Sequence, residues 1–161
     1  MQSGRFSHRA TLLADGRVLI TGGSFSNGYS SGTYPLASAE ICTPAVLVPA
    51  PMLFSLSGDG RGQGAIWHAA TGQVVSPGNP AVAGEYLSMY TTSLGSGSVI
   101  PPQVAVGGRF AEILYFGGAP GYPGYSQVNF RMPSGGVPGP AVPIRLTYFG
   151  RSSNQVSIGV Q

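Results

Sequence analysis

"VPIRLTY", residues 142–148, decides the fold class. Val142, Ile144, Leu146 and Tyr148 alternate with Pro143, Arg145 and Thr147. Such a period of two gives a strand one buried and one wet face, as in an antiparallel sheet solvated on one side. The same alternation runs through "SQVNFRM" (126–132), with Val128, Phe130 and Met132 against Gln127, Asn129 and Arg131. It recurs in "QVSIGVQ" (155–161) with Val156, Ile158 and Val160. Helices have little room. The longest stretch without Gly or Pro, Arg5 to Asp15, is only about as long as one mean helix and lacks helical periodicity.

Hairpins supply the rest. "RATLLADGRVLITGG" (9–23) sets arms Ala10–Leu13 and Val18–Ile20 about Asp15-Gly16, a pair that suits a tight two-residue turn. Thr71-Gly72 joins "IWHAA" to "QVV", and Gly107-Gly108 joins "VAV" to "RFAEILYF". The chain is therefore expected to be all-β.

Composition narrows the class further. The 161 residues include 26 Gly and 14 Pro, close to the range where disorder becomes a default. Yet 42% are hydrophobic and the glycines punctuate apolar runs, which favours a folded core. Only 8% are charged, and the net charge of +3 rests on single arginines at 5, 9, 17, 61, 109, 131, 145 and 151, with no lysine. A nucleic-acid surface clusters its cations to neutralise adjacent phosphates, so no nucleic-acid partner is expected. Cys42 stands alone, so no intrachain disulfide forms. The opening "MQSGRFSHRA" has no apolar core of a secretion signal, and no apolar run reaches a membrane span.

"TPAVLVPAP" (43–51), with three prolines, marks a boundary. It predicts a first region at 1–44, a linker at 45–49 and a second region at 50–161. The second holds about eight strand candidates at short, regular spacing, which suggests a sandwich. "NPAVAGEYLSMYTTSLG" and "PSGGVPGPAVP" read as its longer loops, and Pro143 fits a strand entry or an edge.

Residues 5–44, "RFSHRATLLADGRVLITGG…LASAEICTP", resemble one kelch repeat of the galactose-oxidase-like type, with Cys42 where an aromatic is usual. The second region resembles the C-terminal domain that closes large extracellular proteins of acidobacterial type. The matching stretches are "GQGAI", "NPAVAGEYLSMYTTSLG", "PPQVAVGGRFAEILYFGGAPGYPGYSQVNFRMP" and "PGPAVPIRLTYFGRSSNQVSIGVQ". These resemblances imply an IPT/TIG-like immunoglobulin β-sandwich preceded by a partial β-propeller blade, in an extracellular or cell-envelope setting. They imply upstream propeller blades as partners and no known chemistry. A lone blade lacks the neighbours that cover its faces, so residues 1–44 are expected to pack loosely.

Motifs that could carry chemistry fail on context. Gly28–Gly32 matches G-x-S-x-G, but no strand–helix elbow surrounds it. Gly60–Ala65 matches G-x-G-x-x-A, but a hairpin follows where a dinucleotide site needs a helix. His8 and His68 lack any ligand spacing, so no metal or cofactor is expected. His8 suits blade packing; His68 lies near a hairpin turn, with Trp67 beside it as a core anchor. Asp15 and Asp59 suit glycine turns, and Glu40, Glu85 and Glu112 stand isolated as solvated or Arg-paired groups.

The richest remaining stretch is "YFGGAPGYPGYSQVNF" (115–130). Tyr122 and Tyr125 are the candidate binding residues, because exposed tyrosines on a loop can stack on sugar rings or anchor a protein. The competing reading, favoured by the loop's few polar side chains, folds them back to cap the sandwich. The expected function is a non-catalytic structural, spacer or adhesion module with weak carbohydrate or protein binding. The alternative is the accessory domain of a kelch-propeller enzyme, a copper-radical oxidase or hydrolase with its active site outside this chain.

Overall fold

The computed structural model describes residues 4–13, 17–26, 32–42, 49–94 and 100–161. Among them the protein is all-β, with fourteen strands and no helix. It divides into two compact units, Met1–Leu47 and Val48–Gln161.

In the first unit, β1 (Arg9–Leu12), β2 (Val18–Thr21) and β5 (Ala39–Cys42) form an antiparallel sheet in the order β1-β2-β5. β3 (Ser24–Phe25) pairs with β4 (Tyr34–Pro35). β1 pairs with β2 from Arg9↔Thr21 to Leu12↔Val18, and the Leu13 N–H donates to the Arg17 carbonyl. Asp15 and Gly16 themselves lie outside the described residues, as does most of the G-x-S-x-G stretch and of the 45–49 linker.

Ile20 is the only buried apolar side chain among this unit's described residues, and β1 is exposed throughout. A polar centre takes the place of an apolar one. The Arg5 side chain is fully buried at 0% exposure. Its guanidinium donates to the carbonyls of Gly22 (3.2 Å) and Ser38 (3.1 Å), to Ser38 Oγ (3.2 Å) and to the Glu40 carboxylate.

The second unit is built on two sheets. One orders β10 (Glu112–Gly118), β11 (Ser126–Arg131), β7 (Tyr86–Thr91) and β6 (Ile66–His68). The other centres on the long β12 (Gly139–Tyr148). β8 (Gln103–Val106) pairs along one edge of β12; β13 (Arg151–Ser152) and β14 (Val156–Val160) pair with it elsewhere. β9 (Arg109–Phe110) extends the sheet from β8. Both sheets turn apolar side chains into one buried cluster. Leu87, Met89, Val128 and Phe130 come from the first sheet; Val104, Val106, Ile144, Leu146 and Ile158 come from the second. The alternations in 126–132, 142–148 and 155–161 therefore point as their residue types require.

Four sequence expectations change. "NPAVAGEYLSMYTTSLG" is no plain loop, because it contains β7, an inner strand whose Leu87, Met89 and Thr91 are buried. "PSGGVPGPAVP" is strand from Gly139 onward. "RFAEILYF" is not one strand: Arg109–Phe110 pairs with β8, and Glu112–Gly118 joins the other sheet, so the chain changes sheets at Ala111. Pro143 stands inside β12, paired opposite Ser157. Its carbonyl accepts from the Gly107 N–H at 2.8 Å, where β8 ends. The missing N–H therefore faces the end of a neighbour and costs no ladder bond.

Candidate functional site

Residues 119–125, "APGYPGY", connect β10 to β11 by two turns in tandem. Tyr122 N–H donates to the Ala119 carbonyl (3.1 Å), and Tyr125 N–H donates to the Tyr122 carbonyl (3.2 Å). Each turn has Pro in its second position and Gly in its third, with φ of 79° at Gly121 and 88° at Gly124. Proline presets the first central residue and only glycine takes the positive φ of the second without strain, so both are type II turns. The Ala119 N–H closes the loop on the Tyr125 carbonyl at 2.9 Å. Tyr122 and Tyr125 thus occupy equivalent places at the ends of successive rigid turns.

Both tyrosines lie back against the sheet side yet remain 58% and 48% exposed. Each meets an aromatic of the sheet or of its flanking segment. The Tyr122 ring lies edge-on to Tyr90 with centroids 5.7 Å apart, and Tyr90 lies edge-on to Trp67 at 5.4 Å. Tyr125 meets Phe54 at 5.5 Å. Phe54, Trp67, Tyr90, Tyr122 and Tyr125 together line an open cavity of about 350 Å³. That volume lies within the range of small-ligand pockets.

The positions of the other three rings follow from strand alternation and from anchoring. Trp67 sits between buried Ile66 and His68, so it points away from the core. It is therefore no core anchor but a wall of the cavity. Tyr90, between buried Met89 and Thr91, faces the same way. Phe54 is held through its neighbours. Leu53 N–H donates to Asn154 Oδ1 (2.7 Å), and Asn154 Nδ2 donates back to the Leu53 carbonyl (2.9 Å). The Ala65 N–H donates to the Phe54 carbonyl at 2.9 Å.

The remaining candidates take structural parts. His68 is buried, with Nδ1 on the Glu85 carboxylate and Nε2 donating to the Asn79 carbonyl at 3.1 Å. Glu85 is thus neither isolated nor solvated; its second oxygen accepts the Val82 N–H at 3.1 Å. The pair fastens the 76–85 segment to β6. Residues 60–65 form a turn and bridges to Ser55 and Ser157 with no helix after them. Asp59 closes that turn. The Ser57 hydroxyl, then the Arg61 N–H, hold its carboxyl below the ordinary aspartate range. Among the described residues no three His, Cys, Asp or Glu groups meet at metal-binding distance.

A second cavity of about 540 Å³ lies at the other end of the four-stranded sheet, beside Arg109, Glu112 and Arg131. Arg131 is already engaged. Its guanidinium donates to Tyr86 Oη (2.9 Å), lies 5.2 Å from that ring's centre, and pairs with Glu112 at 3.4 Å. The Tyr86 hydrogen bond, with attraction to Tyr86 and Glu112, raises the Arg131 pKa above its ordinary value. The aromatic cavity is lined by no charged side chain and is the candidate site.

No family model, no curated protein and no solved structure matches the chain.

Proposed function

We propose that this chain is a non-catalytic module of an extracellular or cell-envelope protein, and that its second unit binds carbohydrate through the Phe54–Trp67–Tyr90–Tyr122–Tyr125 cavity. One observation carries the reading: five uncharged aromatic side chains, two of them on rigid turns and half exposed, converge on one open cavity. Aromatic rings offer broad apolar faces at a small cost in conformational entropy. A sugar ring presents a matching C–H face. Prior ordering of the tyrosines by the tandem turns reduces the cost of binding.

The same reading takes the second unit as an immunoglobulin-like sandwich of the IPT/TIG kind. Two antiparallel sheets that share one core support it. It takes the first unit as a kelch-type blade whose partners are further propeller blades. A small three-stranded sheet with an exposed β1 and one buried apolar residue among those described supports that part. The non-catalytic part is supported by His68, whose two ring nitrogens are both taken by structural partners.

The test is retention of the full chain on an array of immobilised polysaccharides, beside Tyr122→Ala and Tyr125→Ala. Retention by the parent and its loss in both variants is expected. If the parent is retained on no sugar, the binding reading falls and a spacer remains.

A further inference from the structure

The aromatic cavity continues onto a polar surface. The outward residues of the four-stranded sheet form rows across the strands, fixed by the pairing register. One row runs Trp67–Ser88–Asn129–Tyr115, through Trp67↔Ser88, Asn129↔Ser88 and Tyr115↔Asn129. The next runs Tyr90–Gln127–Gly117. Residues directly opposite one another are near neighbours on one face. The hydroxyl and amides of Ser88, Gln127 and Asn129 therefore begin where the Trp67 and Tyr90 rings end. Three inter-strand steps of about 4.8 Å carry the first row roughly 14 Å, from one aromatic to another.

These polar groups are only partly used. Gln127 Nε2 donates to Asn129 Oδ1 (2.9 Å) and to Ser88 Oγ (3.4 Å). Gln127 Oε1 and the Asn129 NH₂ group have no partner among the described residues. A free acceptor and free donors thus stand side by side on a half-exposed face. Resting on the carbohydrate reading above, we propose that the ligand is a neutral polysaccharide bound in extended form. It runs from the aromatic cavity across Ser88, Gln127 and Asn129 toward Tyr115.

Chemistry selects this occupant over other chains that stack on aromatics. Single-stranded nucleic acid needs a basic groove along its phosphates, and neither row contains a cation. The nearest arginine on this face, Arg131, is paired with Glu112 and bonded to Tyr86, so no free positive charge draws in an acidic sugar. A polyproline stretch offers carbonyl acceptors but no backbone N–H, and so leaves Gln127 Oε1 unmet. Sugar hydroxyls donate and accept at once, and vicinal pairs can meet Gln127 Oε1 and Asn129 Nδ2 together. Gly117 adds no side chain to the second row, and the Tyr115 ring leans over it, its hydroxyl donating to the Gly118 carbonyl at 2.9 Å.

The test is calorimetric titration of the full chain with neutral β-linked glucose, mannose and xylose oligomers, from disaccharide to hexasaccharide. A galacturonate oligomer and a polyproline peptide complete the set. For one neutral series, affinity is expected to rise about tenfold with length. In Gln127→Leu/Asn129→Leu that gain should vanish while disaccharide affinity stays within about twofold, with folding checked by circular dichroism. Equal affinity for short and long oligomers overturns the extended path but leaves binding at the cavity standing. A gain that survives in the double variant does the same. Tighter binding of galacturonate or of polyproline refutes the neutral-sugar assignment. No binding of any sugar refutes both this proposal and the carbohydrate reading.

Discussion

Gly159 is the position where one added methyl group should do the most damage. It lies in β14 between Ile158 (0% exposed) and Val160 (8%), both turned to the core. Its own Cα faces the other way, against the 75–82 segment. A Cβ built there would stand 2.3 Å from the Ser76 carbonyl oxygen, 2.6 Å from its carbon and 2.9 Å from Pro77 Cα. Ordinary contacts between carbon atoms begin near 3.5 Å, so the segment would have to retreat by about 1 Å. It is poorly placed to do so. Ser76 and Asn79 exchange backbone hydrogen bonds of 2.9 and 3.1 Å, and Val75 N–H donates to the Ile66 carbonyl at 2.9 Å. Gln63 Nε2 donates to the Val75 carbonyl at 2.7 Å, and Ala81 N–H donates to the Gly159 carbonyl at 2.9 Å.

A 1 Å displacement would forfeit one or two of these bonds, about 1 kcal/mol each. Overpacking strain adds about 1–3 kcal/mol. Gly159→Ala should therefore destabilise the second unit by about 2–5 kcal/mol, a large share of a typical domain's stability. The assay is urea unfolding followed by Trp67 fluorescence, with Gly78→Ala as control. A Cβ at Gly78 meets nothing within 4 Å, and its φ is not positive, so this control should shift stability by less than about 1 kcal/mol. Coincident midpoints for Gly159→Ala and the parent would refute the seating of the 75–82 segment on β14.

Two further outcomes follow from buried and turn carboxylates. His68→Leu strands the Glu85 carboxylate, whose side chain is 21% exposed, and should cost about 3 kcal/mol in urea unfolding. Adding Glu85→Gln should recover part of that loss, which a double-mutant cycle would measure. Asp59 should titrate below the usual aspartate range by carbon-detected NMR, and Ser57→Ala should raise it toward that range. Because its folded pKa is depressed, its contribution is present above the unfolded pKa and is lost as pH falls through the folded one. A Ser57→Ala titration indistinguishable from the parent would refute the hydroxyl as the main cause.

Strands with chemically distinct faces were legible in the sequence; elements defined by their partners were not. Val128, Phe130 and Leu146 announce one buried face because their neighbours are polar or charged. β7 carries the same alternation, Leu87 and Met89 against Ser88 and Tyr90, but Gly84 before it and the polar run after it read as loop. The sheet change at Ala111 has no local signal, since Arg109–Phe110 and Glu112–Gly118 are set apart only by what each pairs with. Tyr122 and Tyr125 stood out as a pair, and the repeated Pro-Gly-Tyr already contained their turns. Trp67, Tyr90 and Phe54 did not stand out. A lone tryptophan next to Ile66 reads as core until the register shows which way it points.

The aromatic cavity and the core are opposite faces of the same strands, and this sets the character of the site. Trp67 and Tyr90 are each flanked on both sides by buried residues, so neither can move to the other face of the sheet without lifting a core side chain out of place. At the far edge, the register of β10 shifts between Ile113 and Tyr115. The extra residue of that irregularity lets Ile113 and Phe116 both pack against the core while Tyr115 stands opposite Asn129 on the outer face. Slipping any of these strands by one residue would expose the core row and bury the polar one at once. The hydrophobic requirement that fixes the fold therefore fixes the spacing of Trp67, Ser88, Asn129 and Tyr115. Only Tyr122 and Tyr125 depend on a loop, and the tandem Pro-Gly turns stiffen it. A face ordered in this way suits a ligand that is itself stiff and repetitive, because neither side loses much freedom on contact.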